Sequence, residues 1–191
     1  MEIVFATKNE GKAREARRIG QSLGCRILDL RDISGNAALR DQPDVLETEL
    51  SYEGNAKKKA LTYARRLGRP CLSDDTGLEI EALGGLPGLY TARFGIRRVS
   101  TLLIPERRYH ATFVCCVSYA EPSGRSVSVT SKLVGFIRFP QHALDDGSGV
   151  PFSAYFLPQG EIETLHDLSA RGNYLTHRGR AIRVLIKSLF E

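Results

Sequence analysis

Asp74 and Asp75 stand side by side in "SDDTGLEIEALGGLPGLYTARFG", residues 73–95, just ahead of a Thr-Gly pair that reads as a turn. Adjacent carboxylates closing a strand-like run, "PCLSDD", suit a hard cation and a phosphate chain. Magnesium favours oxygen ligands and takes one or two carboxylates together with substrate phosphates. Held in that way, it orients the phosphates, neutralises charge and acidifies a water for attack. Glu47, which opens "ETELSYEGNAKKKA", adds another carboxylate. The competing reading of Asp-Asp-Thr-Gly is an Asx-type turn, and the residues leave both open. Glu79 and Glu81 alternate with Leu78 and Ile80, which describes a solvated strand face better than a ligand set.

Thr7, Asn9 and Lys12 sit where an apolar strand hands over to a helical pattern, with Gly11 allowing a tight turn. Hydroxyl, amide and ammonium groups beside a helix N-terminus can hold a phosphate together. The glycine spacing and Gly-Lys-Ser/Thr ending of a P-loop are missing, and an ordinary capped helix start is the alternative. Lys57, Lys58 and Lys59 lie on a predicted helix, where such a run reads as a solvated face.

The elements that must position these groups are legible in outline. "EIVFA" is a strand, "AREARRIGQSLG" a helix with Gly24 as its stop, and "CRILDL" a second strand. "SGNAALRDQPD" is a loop. From Ser51 to about Leu67, Tyr52, Ala56, Ala60 and Tyr63 recur at helical spacing. Strand, helix, strand and a site at a strand's end is the logic of an α/β sheet. "YHATFVCCVSYA" and "SVSVTSKLVGFIRF", separated by "EPSGR", form a hairpin. "HALDDGSGVPF" is a loop, and "THRGRAIRVLIKSLFE" a closing helix with Thr176 as its N-cap. The expected fold is one α/β domain over 1–191, with a long twisted mixed sheet flanked by helices in two lobes around a cleft.

Composition is that of a globular protein: 191 residues, 42% hydrophobic and 26% charged. No apolar run reaches membrane-spanning length and the start lacks a signal peptide's order of regions, so the expected location is cytoplasmic. A net charge of +5 suits an anionic partner, although an Arg-rich solvated surface explains it too. Cys25, Cys71, Cys115 and Cys116 lack C-x-x-C spacing and read as buried free thiols rather than a zinc site or disulfide framework.

In this order, "ATKNEGKAREA", "LETELSYEGNAKKKA", "LSDDTGLEIEALGGLPGLYTARFG" and "THRGRAI" resemble the inosine triphosphate pyrophosphatase family, also called the Ham1 or dITP/XTP pyrophosphatase family. The resemblance implies cleavage of deaminated purine nucleoside triphosphates between the α and β phosphates, with Mg2+ as cofactor and a homodimer as the assembly. It implies Glu47 and Asp75 as metal ligands, with Asp75, assisted by Asp74, as proton acceptor. Thr7, Asn9, Lys12 and Lys59 would hold phosphate, and Thr76 would donate to the substrate from its turn. His177 and Arg178 would approach the base, and Arg93 would steady the site unless it is structural.

The chain departs from the family pattern in several places. Gly54-Asn55-Ala56 replaces Glu-Asn-Ala, and the segment between Gly95 and Tyr109 is short. "GSGVPFSAYF" replaces Gly-Phe-Gly-Tyr-Asp-Pro, leaving Phe152 or Tyr155 as the ring near a base, and Gly172 stands in place of a lysine. Two other classes compete: a degenerate member that binds nucleotides without turnover, and a basic nucleic-acid-binding module. The latter lacks an aromatic-basic stacking motif.

Overall fold

The computed structural model describes residues 1–33, 35, 43–143, 151–172 and 174–190. Most of the loop expected over 34–44 and most of that over 142–152 lie outside these residues, as do positions 147–150 of the altered segment.

Strand β1 (Glu2–Phe5) is the inner member of a parallel trio, pairing with β2 (Arg26–Asp29) on one side and β3 (Cys71–Ile80) on the other. Helix α1 (Glu10–Ser22) links the first two strands, and α2 (Tyr52–Leu67) precedes the third. Asn9 caps α1, its side chain accepting from the Lys12 N–H, and Ser51 caps α2 by accepting from the Gly54 N–H. Gly68 ends α2 in the left-handed conformation.

The long strands β5 (Tyr109–Ala120) and β6 (Ser126–Ile137) have the limits that the sequence predicts, with β6 ending two residues early. They are neighbours joined by only five residues, so they run antiparallel, since a parallel pair needs a crossover of a dozen or more. Among the described residues the strand order is β2-β1-β3-β5-β6-β7, with β7 spanning Phe156–Pro158 and β4 (Pro87–Gly88) pairing antiparallel to β3. The sheet is therefore mixed and flanked by helices, as expected.

The chain gathers into two compact units. The first comprises Met1–Asp75, Cys115–Thr130 and Arg178–Glu191. Its core sets Ala60, Tyr63 and Ala64 of α2 against Val4, Ala6, Cys71 and Ala120. The second comprises Thr76–Val114 and Ser131–His177. There Leu78, Ile80, Phe113, Ile137, Phe139, Phe152 and Phe156 pack with Ile96 and Val99 of α3 (Thr91–Ser100), a helix kinked at Gly95. In this unit the Gly135 Cα faces β7 so closely that a Cβ would lie 2.3 Å from the Leu157 carbonyl oxygen. Short α4 (Leu165–Ala170) and closing α5 (His177–Ser188) complete the described elements, with Thr176 directly before α5.

One expectation is corrected. No turn follows Asp75: β3 runs unbroken through Asp74, Asp75, Thr76 and Gly77 to Ile80. Pairing with β4, burial of Leu78 and Ile80, and a bond from the Leu78 N–H to Thr91 Oγ1 at 2.8 Å hold it extended. These contacts override the local turn preference of Asp-Asp-Thr-Gly. Thr76 is accordingly a strand residue. All four cysteines are buried thiols outside any disulfide.

Candidate active site

β1 delivers its C-terminal end beside the carboxylates. Its register sets Phe5 opposite Leu72, and the Ala6 N–H donates to the Leu72 carbonyl at 2.7 Å. Thr7 then turns the chain toward α1, its Oγ1 accepting from the Asn9 N–H at 3.1 Å. One turn into α1, Lys12 Nζ reaches Asp74 Oδ2 at 2.9 Å. From α5, Arg178 Nε donates to the same oxygen at 3.1 Å, and its Nη1 donates to Glu15 Oε2 at 3.1 Å. Asp74 and Arg178 are almost fully buried, 3% and 2% exposed.

Burial alone would raise the pKa of Asp74, but the charges of Lys12, Arg178 and Lys59 outweigh it and hold the carboxyl far below the usual range. Arg178 shows the converse: burial opposes its charge, and Asp74 and Glu15 more than restore it. Asp75, next along the strand, points to the other face. Burial is the largest influence on it and carries it above the ordinary aspartate value. The Asn55 hydrogen bond opposes that rise, and the Glu47 charge adds to it. Asn55 Nδ2 donates to Asp75 Oδ2 at 3.0 Å.

Lys59, on α2, spans the carboxylates. Its Nζ donates to Glu47 Oε1 and to the Asp74 carbonyl oxygen, both at 2.6 Å. Burial works to lower its pKa, yet the charges of Asp74 and Glu47 leave it raised. Lys59 is thus not part of a solvated face, unlike exposed Lys57. Thr7, Asn9, Lys12, Glu47, Lys59, Asp74, Asp75 and Arg178 all belong to the first unit.

The remaining expected residues belong to the second unit. Thr76 is half-buried in β3. His177 is 1% exposed and stacks on Phe113, ring centroids 5.0 Å apart. Phe152 is 1% exposed and meets Phe139 edge-on, so its ring serves the core, while Tyr155 is half-buried against the same Phe139. Arg93 is exposed and lies over the Tyr90 ring. Gly172 has a φ of 78°, the left-handed exit from α4, where a lysine would be strained. Arg178, expected near a base, is held by Asp74 and Glu15.

Two residues of the network escaped the sequence reading, Asn55 and Glu15. Their signal was spacing: Asn55 stands four residues before Lys59 and Glu15 three after Lys12, which puts each on the helix face of a site lysine.

Glu47 and Asp75 offer the hard oxygen donors that magnesium takes from a protein when phosphates supply the rest. Among the described residues no cluster of three or more His, Cys, Asp or Glu forms a closed metal cage. The donor set fits a cation shared with a phosphorylated ligand.

The model of the Ham1 family matches residues 3–188, nearly the whole chain and every residue of this network. The chain belongs to the Ham1 family. A dITP/XTP pyrophosphatase of Streptomyces avermitilis is 35% identical, the match covering 99% of this chain and 97% of that protein. One of Gluconobacter oxydans is 33% identical over 99% of this chain and 91% of its own length. A third, of Streptococcus agalactiae, is 33% identical, and this Ham1-family chain spans only 58% of its length. Among solved structures, the Staphylococcus aureus Ham1 protein superposes with a TM-score of 0.74 at 28% identity, covering 99% of this chain and 98% of that one. A HAM1 protein of Coxiella burnetii shares the fold, with a TM-score of 0.73 at 23% identity over 100% of this chain and 98% of that one. No helix among the described residues of this Ham1 chain is long and apolar enough to cross a membrane.

Proposed function

We propose that this chain is a magnesium-dependent nucleoside triphosphate pyrophosphatase acting on non-standard purine nucleotides, dITP, ITP and XTP. The observation that carries the reading is the unlike state of two adjacent carboxylates. Asp74 is bound by the cations Lys12 and Arg178, whereas Asp75 accepts from the neutral Asn55 amide. A carboxylate held by a neutral amide rather than by an ion pair is the better proton acceptor.

Glu47 and Asp75 would hold the magnesium, which neutralises phosphate charge and orients the phosphate chain when bound with substrate. Asp75 takes the proton from the water that attacks the α-phosphorus. The bond from that phosphorus to the bridging oxygen breaks, releasing pyrophosphate and leaving the nucleoside monophosphate. Lys12, Thr7 and Asn9 at the start of α1, where the helix dipole favours an anion, receive the phosphates together with Lys59 of α2. Asp74 holds Lys12 and Arg178 ready, and Thr76 donates from the strand.

The names of the full-length relatives support the base preference, with His177 and Arg178 as donors to a 6-oxo purine. Removing such nucleotides would keep the precursor pool clean, in the cytoplasm and as a homodimer of one-domain chains. A scattering mass of twice 21.1 kDa is the outcome expected for that dimer.

Burial of Phe152 and the glycine at 172 favour a second reading, binding without turnover, because both remove anchors for a base. Pyrophosphate release from dITP with magnesium decides between them. The enzyme reading expects release that stops in chelator and falls by about 10²–10⁴-fold in Asp75→Ala, the usual loss with a general base. Glu47→Ala is expected to fall likewise. Binding of dITP with no release is the outcome for the second reading.

A further inference from the structure

We propose that Asn55 is a positioning residue for Asp75, and that it joins the strand bearing Asp75 to the segment bearing Glu47. The inference rests on the reading of those two carboxylates given above.

Asn55 lies in the first turn of α2 and is 3% exposed. Its amide works in two directions at once. Nδ2 donates to Asp75 Oδ2 at 3.0 Å, and Oδ1 accepts from the Glu49 N–H at 2.9 Å. A carboxylate can only accept and an ammonium can only donate, so neither satisfies both partners. The short planar amide fixes the plane of the Asp75 carboxylate. It also fixes the backbone two residues beyond Glu47.

The segment is pressed onto the helix start from other sides. Lys58 Nζ holds Thr48 Oγ1 at 2.5 Å and Glu49 Oε1 at 3.3 Å, while Ser51 Oγ accepts from the Gly54 N–H at 3.0 Å. Gly54 makes the approach possible. A Cβ there would sit 2.7 Å from the Glu49 Cβ, so any larger residue pushes the segment off the helix and the Glu49 N–H away from Asn55. The departure of this chain from Glu-Asn-Ala at position 54 is therefore part of how Asn55 is used. Partners that orient the ligands of a metal typically alter metal affinity or activity by about 10–100-fold when removed.

The test compares parent, Asn55→Ala and Asp75→Ala by Mn2+ titration without nucleotide, by steady-state kinetics on dITP with magnesium, and by thermal melting. For Asn55→Ala the expected result is Mn2+ affinity and kcat each lower by about 10–100-fold, with KM for dITP little changed. A merely structural Asn55 would lower the melting temperature and leave Mn2+ affinity and kcat alone. Affinity and kcat of Asn55→Ala close to the parent, with Asp75→Ala inactive, overturn the inference and leave the site reading standing. An active Asp75→Ala overturns both. Should Asn55→Ala fail to fold, Asn55→Asp keeps the shape and the acceptor for the Glu49 N–H while losing the donor to Asp75. Its kcat is then expected to fall at least about tenfold, and an undiminished kcat overturns the inference.

Discussion

Arg178 Nε donates to Asp74 Oδ2 across 3.1 Å, joining two buried side chains that lie 104 residues apart in the chain. The same guanidinium reaches Glu15, so a carboxylate stands at each end of it. Such a pair ties α1, β3 and α5 together and presents Asp74 as a counter-ion.

Arg178→Ala is expected to destabilise the protein by about 3 kcal/mol, the low end for breaking a buried pair, because Lys12 still compensates Asp74. Urea unfolding measures it. As a donor to the 6-oxo group, Arg178 should also matter more for dITP than for ATP, so kcat/KM for dITP is expected to fall further than that for ATP. Equal falls would confine Arg178 to its role beside Asp74.

Lys59 occupies Glu47 with its own charge. A divalent cation at Glu47 meets that charge, and even the aqueous limit of about 1 kcal/mol for unit charges at 4 Å corresponds to about fivefold in affinity. Lys59→Met is therefore expected to bind Mn2+ at least about fivefold more tightly without nucleotide. Pyrophosphate release should move the other way, slowing by about tenfold or more as a charge-assisted phosphate contact is lost. Calorimetry and a pyrophosphate assay on one preparation check both directions.

Asp29, fully buried at the end of β2, accepts from Arg17 Nη2 at 2.6 Å and from the Arg31 N–H at 2.7 Å. Burial opposes its charge, but the Arg31 side chain and backbone, the Asp32 N–H and Arg17 together depress its pKa. A depressed carboxyl adds stability that is complete above the unfolded value of about 3.9 and is lost as pH falls toward the folded value. Asp29→Ala should cost about 3 kcal/mol at pH 7, since the half-exposed arginines can rehydrate. The gap between parent and variant should narrow as pH drops below about 4, measured by urea unfolding at a series of pH values.

The sequence by itself determined the elements whose signal is local. Long apolar and β-branched runs on either side of a short turn marked β5 and β6, of which β5 is buried on both faces over most of its length and β6 alternates toward its end. The 3.6-residue stripe of Ala56, Ala60 and Tyr63, with Ser51 ahead and Gly68 behind, marked α2. Residue types named the carboxylates and lysines of the site, since few side chains can hold a cation or a phosphate. Tertiary structure alone decided how those groups are shared. The turn expected after Asp75 became strand because β4 and a buried Leu78 hold it extended, and neither contact is visible in Asp-Asp-Thr-Gly. Lys12 and Arg178 went to Asp74, and Asn55 to Asp75, because adjacent strand residues face opposite ways and meet different helices. Spacing along a chain fixes which residues share a face. Which partner each face meets, and so which of two neighbouring aspartates is paired with cations and which with a neutral amide, is fixed only when the sheet brings distant segments together.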